Sequence, residues 1–347
     1  MFNPEKFKST IFSASLNFEE AALDLFRFQA AHVDIYSQFI SLLKINPADV
    51  KSIAEIPFLP ISVFKTHKVI VDPKKIASPD QIGIAMTNDV KHETVFTSSG
   101  TTGTTTSKHY VADISMYEES FTKGFQHFYG NIEEYCILAL LPSYLERTGS
   151  SLIYMTDHLI KKSKHSDSGF YLNEYDKLIE KLKSLQQQNQ KTILLGVSYA
   201  LLDLAELINH QLQPSGQLII METGGMKGKR KEMVREELHK QLCSAFKVKT
   251  IHSEYGMTEL LSQAYSKGSG IFHTPPWMKI FIRDVNDART ILPSERSGGI
   301  NVIDLANVYS CAFIATQDLG KLNNDDTFEV VGRFDNSDLR GCNLLIE

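Results

Sequence analysis

Between residues 135 and 252, apolar runs of strand length alternate with amphipathic helical stretches, and few folds accommodate that order. Strands are expected over Tyr135 to Leu141, Thr192 to Gly196, Gln217 to Met221 and Val248 to His252. Helices are expected over Tyr175 to Gln188, Tyr199 to His210 and Lys229 to Phe246. Such alternation predicts a layered α/β fold with a partly parallel sheet. In sheets of this kind, ligands gather where loops leave the carboxyl ends of the strands. Residues 17–45 read as helical and amphipathic, and Ile56-Pro57-Phe58-Leu59-Pro60 closes that segment with a proline-bracketed turn. After residue 276 the pattern changes to short β segments at Lys279 to Arg283, Gly299 to Asp304, Ala312 to Thr316 and Phe328 to Val331. The expected fold is therefore α/β, with layered mixed sheets, flanking helices and a small β-rich C-terminal part. One large domain is expected, divided into a helical segment (1–55), an α/β core (56–276) and a β-rich subdomain (277–347).

Composition narrows the function classes. A net charge of −5, with no basic stripe interleaved with aromatics, gives no basis for nucleic-acid binding. The N-terminal residues Met1 to Lys6 lack the apolar core of a signal peptide. Runs such as Ile137 to Leu141 are too short to span a bilayer. The 4 cysteines (Cys136, Cys243, Cys311, Cys342) form no CxxC pair, and the 11 histidines form no HxxxH or HxH cluster. A structural zinc is not expected, and a reducing cytoplasm is the expected setting.

The segment from Thr97 to Lys108 carries the first chemical signal. It holds Thr97, Ser98, Ser99, Gly100, Thr101, Thr102, Gly103, four further hydroxyl residues and a closing Lys108, with no apolar side chain. Such a loop offers backbone N–H groups, hydroxyls and one cation to an anion, and its glycines allow close approach. A flexible Ser/Thr linker is the alternative, which the glycine spacing and terminal lysine argue against. The segment matches neither a P-loop, which needs glycine before and Ser/Thr after the lysine, nor a Gly-x-Gly-x-x-Gly turn. Thr94-Val95-Phe96 before it and Lys108 to Val111 after it are β-prone, so the loop is expected at a hairpin tip. A helix follows with Asp113 as its N-cap and Ile114, Tyr117, Phe121, Phe125 and Phe128 on one face.

A second cluster, Ser253-Glu254-Tyr255-Gly256-Met257-Thr258-Glu259, follows the strand expected to end at His252. It packs an aromatic, a glycine, a hydroxyl and a carboxylate into five positions. One reading is a nucleotide site, with Tyr255 stacking on a base, Thr258 bonding a phosphate and Glu259 holding Mg²⁺ beside substrate phosphates. The other is a strand–turn corner with exposed polar residues. Upstream, Gly224 and Gly225 end another strand and suit close approach of a flat ligand. His252 reads as a satisfied core histidine rather than a base.

Together these residues resemble the adenylate-forming superfamily of acyl-CoA synthetases, luciferases and peptide-synthetase adenylation domains. The hydroxyl-and-glycine loop is similar to Thr97–Lys108, and the Tyr-Gly-x-Thr-Glu motif matches Tyr255, Gly256, Thr258 and Glu259. The ribose-binding aspartate corresponds to Asp318 and the arginine motif to Gly332-Arg333-Phe334-Asp335, all in the family order over roughly residues 55–347. Two departures accompany the match. The lysine lies unusually far from Gly103, and the chain ends at Glu347, so the family's C-terminal lid domain with its adenylation lysine is expected to be absent. A lidless chain of this kind resembles the acyl-protein synthetase of the bacterial luminescence fatty-acid reductase complex and its non-luminous relatives. Phe58-Leu59-Pro60 with Phe64-Lys65, the Asp304 to Asn307 segment and the ending Arg340-Gly341-Cys342 carry that closer resemblance.

The resemblance implies ATP and Mg²⁺ as cofactors, a carboxylic and in this branch a fatty acid as substrate, and a reductase-like protein as possible acyl acceptor. Lys108, Thr258 and Glu259 would serve adenylation, Thr97 to Gly103, Gly224, Gly225, Tyr255, Gly256, Asp318 and Arg333 would hold the nucleotide, and Cys342 would accept the acyl group. A thiolate is a good nucleophile toward an activated acyl group, and Arg340 nearby would favour it; an inert terminal thiol is the alternative. Cys136 and Cys243 are expected to be structural. Pro142, Tyr144, Val197, Tyr199 and Leu201 are candidates for an apolar acyl pocket and equally for plain core. Two further readings stay open: an acid–coenzyme A ligase for a smaller or aryl acid, and a nucleotide-binding module without catalysis.

Overall fold

Polar caps and one β-branched break divide the N-terminal apolar periodicity into short helices. The computed structural model describes residues 2–72, 94–98, 105–142, 149–208, 211–226, 229–231 and 233–334. Helix α1 (Pro4–Ile11) starts at Asn3, whose side chain accepts the Lys6 amide, and α2 (Phe18–His32) starts at Asn17, which accepts the Glu20 amide. The helix expected over 17–45 is two helices. Val33 leaves the helical region and gives its backbone to a bridge with Val71, and α3 (Asp34–Leu42) begins after it. β-Branched residues lose little in extended backbone, so the break falls where it costs least.

The chain clusters into two units, 1–123 with 257–262 and 274–347, and 124–256 with 263–273. In the first unit, β1 (Leu59–Pro60) and α4 (Val63–Thr66) precede the antiparallel hairpin β2 (Thr94–Thr97) and β3 (Lys108–Val111). Helix α5 (Ile114–Tyr129) follows, its first turn closed by the Asp113 carboxylate, which accepts the Ser115 amide at 2.9 Å. Tyr117, Phe121 and Phe125 are buried along it as expected, while Phe128 is half-buried with its ring 5.2 Å from that of Tyr265.

The second unit is a doubly covered sheet. Its elements are β4 (Cys136–Leu140), α6 (Ser151–Ser163), β5 (Gly169–Phe170), α7 (Tyr175–Gln187), β6 (Thr192–Val197), α8 (Ser198–Ile208), β7 (Leu218–Thr223), α9 (Arg235–Phe246), β8 (His252–Tyr255), β9 (Ala264–Ser266) and β10 (Ile271–His273). Strands run in the order β10-β9-β8-β7-β6-β4-β5, and β8, β7, β6, β4 and β5 are mutually parallel. Every residue of β4 and β6 is buried, as parallel strands with both faces covered require. Helix α7 turns Leu178, Ile179, Leu182 and Leu185 inward, and α9 turns Leu238, Leu242 and Phe246.

Two expected boundaries in this unit move by more than two residues, and in the first unit the strand expected at Ala312 to Thr316 runs on to Leu322. The helix expected from Lys229 begins at Arg235, because the Arg230 guanidinium is drawn to Asp203 and Glu206 on α8 and holds its own backbone outside the helix. The strand expected at Val248 to His252 instead spans His252 to Tyr255, since Lys247 ends α9 at φ 56 and the next residues carry the chain back to the sheet. Ser253, Glu254 and Tyr255 are therefore strand residues.

Back in the first unit, β11 (Met278–Arg283), β12 (Ser297–Asp304), β13 (Phe313–Leu322) and β14 (Phe328–Arg333) form an antiparallel meander. Strand β1 joins β13 in parallel through Leu59↔Ile314 and Pro60↔Ala315. Leu194, fully buried and flanked on neighbouring strands by Leu138 and Ile220, tests the second unit's core. Leu194→Ala is expected to cost about 2–5 kcal/mol in urea unfolding followed by far-UV circular dichroism. A loss under about 1 kcal/mol would contradict burial between two covered faces.

Candidate active site

In the first unit, the hydroxyl-rich segment has its expected hairpin base. Thr97 pairs with Lys108, the Ser98 amide donates to the Ser107 carbonyl at 3.1 Å, and the Ser107 amide donates back to Ser98 Oγ at 2.9 Å. Lys108 is exposed at the first position of β3, and Ser107 is buried beside it. Ser99, Gly100, Thr101, Thr102 and Gly103 lie outside the described residues.

Alternation along β3 sends its next polar side chain inward. His109 is fully buried, its Nδ1 lies 2.8 Å from the Thr258 carbonyl and its Nε2 lies 3.3 Å from Asn307 Oδ1. Burial pushes this imidazole down to about 4, so it stays neutral at ordinary pH. Glu259, the residue after Thr258, is only 4 % exposed. Burial raises the Glu259 carboxyl above the usual range, while Ser107 and the charges of Lys65 and Arg333 pull it the other way. Its carbonyl accepts Asn307 Nδ2 at 2.9 Å. The hairpin and the second motif thus meet where His109 Nδ1 lies against the Thr258 carbonyl.

Asp318 and Arg333 face each other as a cross-strand pair on β13 and β14, with Arg333 Nε 3.0 Å from Asp318 Oδ1. The arginine side chain is 76 % exposed and the aspartate 12 %. A pair so placed contributes little to stability and leaves the arginine within reach of a ligand.

In the second unit, β7 ends in Glu222 and Thr223 and is followed by Gly224 and Gly225. Gly224 adopts φ 68, a conformation that disfavours a side chain, and its carbonyl accepts the Ser198 hydroxyl at 3.1 Å. A Cβ at Gly225 would meet nothing within 4 Å, so this shelf is open. Tyr255 is 9 % exposed and its ring meets Phe272 edge-on at 5.9 Å. A Cβ at Gly256 would approach Glu254 Oε1 to 2.5 Å, so the glycine makes room for that carboxylate. Thr223 Oγ1 donates to Glu254 at 2.6 Å, yet burial and the nearby Glu222 charge raise the Glu254 carboxyl to about 7.

Other sequence expectations resolve as core. His252 bonds the Tyr129 hydroxyl at 3.1 Å and burial lowers it to about 4. Val197 and Leu201 are fully buried and Tyr199 is 7 % exposed; Leu201 Cδ2 fills the space where a Gly196 Cβ would sit, at 2.7 Å. Pro142 is half-buried, and Tyr144 lies outside the described residues. Cys136 is buried with its thiol raised to about 11 by desolvation, and Cys243 is half-buried on α9. Cys342 lies outside the described residues. Ser107 was read only as one hydroxyl of the Thr97–Lys108 loop, and Lys65, His109, Asp304 and Asn307 were not singled out as site residues by motif reading. Their only sequence trace was the presence of Phe64-Lys65 and Asp304 to Asn307 in the closer resemblance, because no spacing connects residues 65, 107, 259 and 307.

The Glu254 carboxyl sets a pH dependence. Between its unfolded value near 4.5 and its folded value of about 7, the folded state holds a proton that the unfolded state has released. Stability from this group therefore falls as pH rises through that window and is level above it. Glu254→Gln is expected to flatten the decline, by up to on the order of 3 kcal/mol between pH 4.5 and 8, in denaturant titrations at a series of pH values. Parallel wild-type and variant curves would exclude a raised Glu254.

Known proteins can be set beside this geometry. In fold, the chain is similar to 2-hydroxyisobutyryl-CoA ligase crystallised with 2-HIB-AMP and CoA, at TM-score 0.64 and 13% identity over 97% of this chain and 70% of that one. It is also similar to an ATP-bound RpMatB-BxBclM chimera, at TM-score 0.51 and 18% identity over 69% of this chain. ATP-bound MatB from Rhodopseudomonas palustris matches at TM-score 0.51 and 17% identity over the same share. The chain spans about half, 47%, of the length of these last two. No curated protein matches the chain. The family model described as "Acyl-protein synthetase, LuxE" matches residues 8–347. With nearly the whole sequence under that model and an adenylate-forming fold beneath it, the chain belongs to the LuxE acyl-protein synthetase family.

Proposed function

We propose that this chain activates a carboxylic acid with ATP as an acyl-adenylate and then passes the acyl group to a thiol. The observation that carries this reading is the meeting of the hydroxyl-rich hairpin with the second motif, where His109 of β3 lies 2.8 Å from the Thr258 carbonyl and the next residue is the buried Glu259. It brings an anion-binding loop and a lone acidic ligand into one place, and this pairing suits a nucleotide triphosphate with its divalent cation.

In the first half-reaction a carboxylate oxygen attacks the α-phosphorus of ATP. The bond to the bridging oxygen breaks and pyrophosphate leaves with the electron pair, giving acyl-AMP. Lys108, Ser98 and Thr97, with Ser99 to Gly103 and Thr258, are assigned to the departing phosphates, where fixed donors offset growing charge. Asp318 and Arg333 are assigned to the ribose hydroxyls, and Gly224, Gly225, Tyr255 and Gly256 to the adenine side.

Among the described residues no group of three or more His, Cys, Asp or Glu side chains could hold a metal alone. Glu259 nevertheless fits Mg²⁺, which keeps waters and takes one or two carboxylates plus substrate phosphates. Bound there, the cation would lower the charge repulsion between the phosphates and the attacking carboxylate.

In the second half-reaction a thiolate sulfur attacks the acyl carbon, the bond to AMP breaks, and the thiol proton passes to solvent. Cys342 is the assigned acceptor, in keeping with the acyl-protein synthetase family. A free thiol of this kind calls for a reducing compartment such as the cytoplasm. The acid is assigned to the fatty class on the same family ground, and a reductase-like protein is the further acceptor. No described helix is long and apolar enough to cross a membrane.

Pyrophosphate release across a panel of carboxylic acids tests the reading, with and without Mg²⁺. Release dependent on both acid and Mg²⁺ is expected, and none with any acid would remove the ligase assignment. Lys108→Ala and Glu259→Gln are each expected to lower it by about 10²-fold or more. With ATP and a labelled fatty acid, intact-mass analysis should show an acyl adduct that Cys342→Ala abolishes; persistence would place the acceptor elsewhere.

A further inference from the structure

The segment Met257 to Ser262 carries Glu259, and it contains neither helix nor strand. A buried stretch of this sort must have its main-chain groups bonded by something else. One bond is internal, from the Leu260 amide to the Met257 carbonyl at 3.1 Å. Four others go to three side chains from distant parts of the sequence. His109 Nδ1 meets the Thr258 carbonyl at 2.8 Å, and Asn307 Nδ2 donates to the Glu259 carbonyl at 2.9 Å. The Asp304 carboxylate accepts the Leu261 amide at 2.7 Å and the Ser262 amide at 3.0 Å.

Asn307 is the hub. Its amide also donates to the Cys311 carbonyl at 3.0 Å, its Oδ1 faces His109 Nε2, and its own carbonyl accepts Gln29 Nε2 at 2.7 Å. Asn307, His109, Asp304 and Gln29 are all 1 % exposed or less. Strand β3 carries His109 to the carbonyl of the residue before Glu259, so hairpin and turn share one frame.

We propose that Asn307, acting with His109, is a positioning residue that fixes the Glu259 carboxylate against the anion hairpin and so sets the protein's response to the divalent cation. This rests on the adenylation reading above. A buried amide that donates to two carbonyls accepts no substitute of other shape: alanine leaves two carbonyls without a donor, and aspartate opposes them with a negative charge. Partners one step removed from a metal ligand commonly change metal affinity or activity by about 10- to 100-fold.

The test compares wild type with Asn307→Ala, Asn307→Asp, His109→Leu and His109→Asn. Calorimetry measures ATP binding with and without Mg²⁺, a readout that needs no turnover. Wild type is expected to bind ATP more tightly with Mg²⁺; both Asn307 variants should lose that enhancement by about tenfold or more, with metal-free ATP binding preserved. Asn307→Asp should be the worse of the two. In pyrophosphate release, kcat should fall and the Mg²⁺ half-saturation rise, with the KM for the acid within about twofold of wild type. His109→Asn keeps a donor for the Thr258 carbonyl and should recover much of the enhancement that His109→Leu loses.

Trp277, the single tryptophan of the chain, donates to Ser120 Oγ, which contacts Ser262 Oγ in the same network. Its emission and the thermal midpoint therefore report whether each variant is folded. If Asn307→Ala does not fold, the His109 pair decides. Unchanged Mg²⁺ enhancement in folded variants overturns the clamp alone. A wild type that neither binds ATP nor releases pyrophosphate overturns the adenylation reading, and the clamp's role with it.

Discussion

The buried Asp304 carboxylate is the constraint around which the first unit is arranged. It accepts two amides and the hydroxyl of the 261–262 segment and a third amide from Ala306, so one side chain satisfies groups from two irregular turns. Burial raises this carboxyl, and these donors oppose the rise. A charge this deep persists only when fully hydrogen-bonded, and here the satisfaction is nearly saturated. Asn307, three residues on, does the same for the Glu259 and Cys311 carbonyls. Removing either residue would leave backbone groups without partners in low dielectric, where each costs more than a typical hydrogen bond contributes.

This arrangement explains how an irregular segment can hold a functional carboxylate in place. A strand would fix Glu259 through its ladder; a turn has no ladder, so side chains from β3 and the end of β12 supply the bonds. The second unit solves its problem differently. Its parallel strands satisfy one another, and beyond the carboxyl end of β7 lie Gly224 and Gly225. Glycine is required at Gly224 by backbone conformation and at Gly256 by the approach of Glu254, so neighbouring glycines serve different physical needs.

A cavity of about 610 Å³ belongs to the first unit and lies between α3, the Pro57 to Ser62 turn and the loop after β11. Arg283 borders it, but its guanidinium is committed to the Ile300 and Thr316 carbonyls and to Asn301 Oδ1. The cavity is therefore lined by a cation already engaged in holding β11, β12 and β13 together. The chemistry proposed for the chain is assigned to Glu259, Ser107 and the Asp318–Arg333 pair, none of which lines this cavity.

The sequence by itself determined the layered α/β class, the positions of β4, β6 and β7 to within about a residue or two, and the hairpin at Thr97 and Lys108. These rest on local rules: apolar runs of strand length, turn composition and capping at Asp113 act over a few residues, where sequence order and spatial order coincide. Tertiary structure decided the rest. Arg230 delays α9 because its partners lie on another helix, and Val33 breaks the first long helix because Val71 offers it a bridge. Glu259 acquires its setting from residues 65, 107, 109, 304 and 307, which no periodicity joins. Burial created the raised Glu254 and the neutral His109, because a group's solvent exposure is a property of the packed chain and not of its neighbours in sequence.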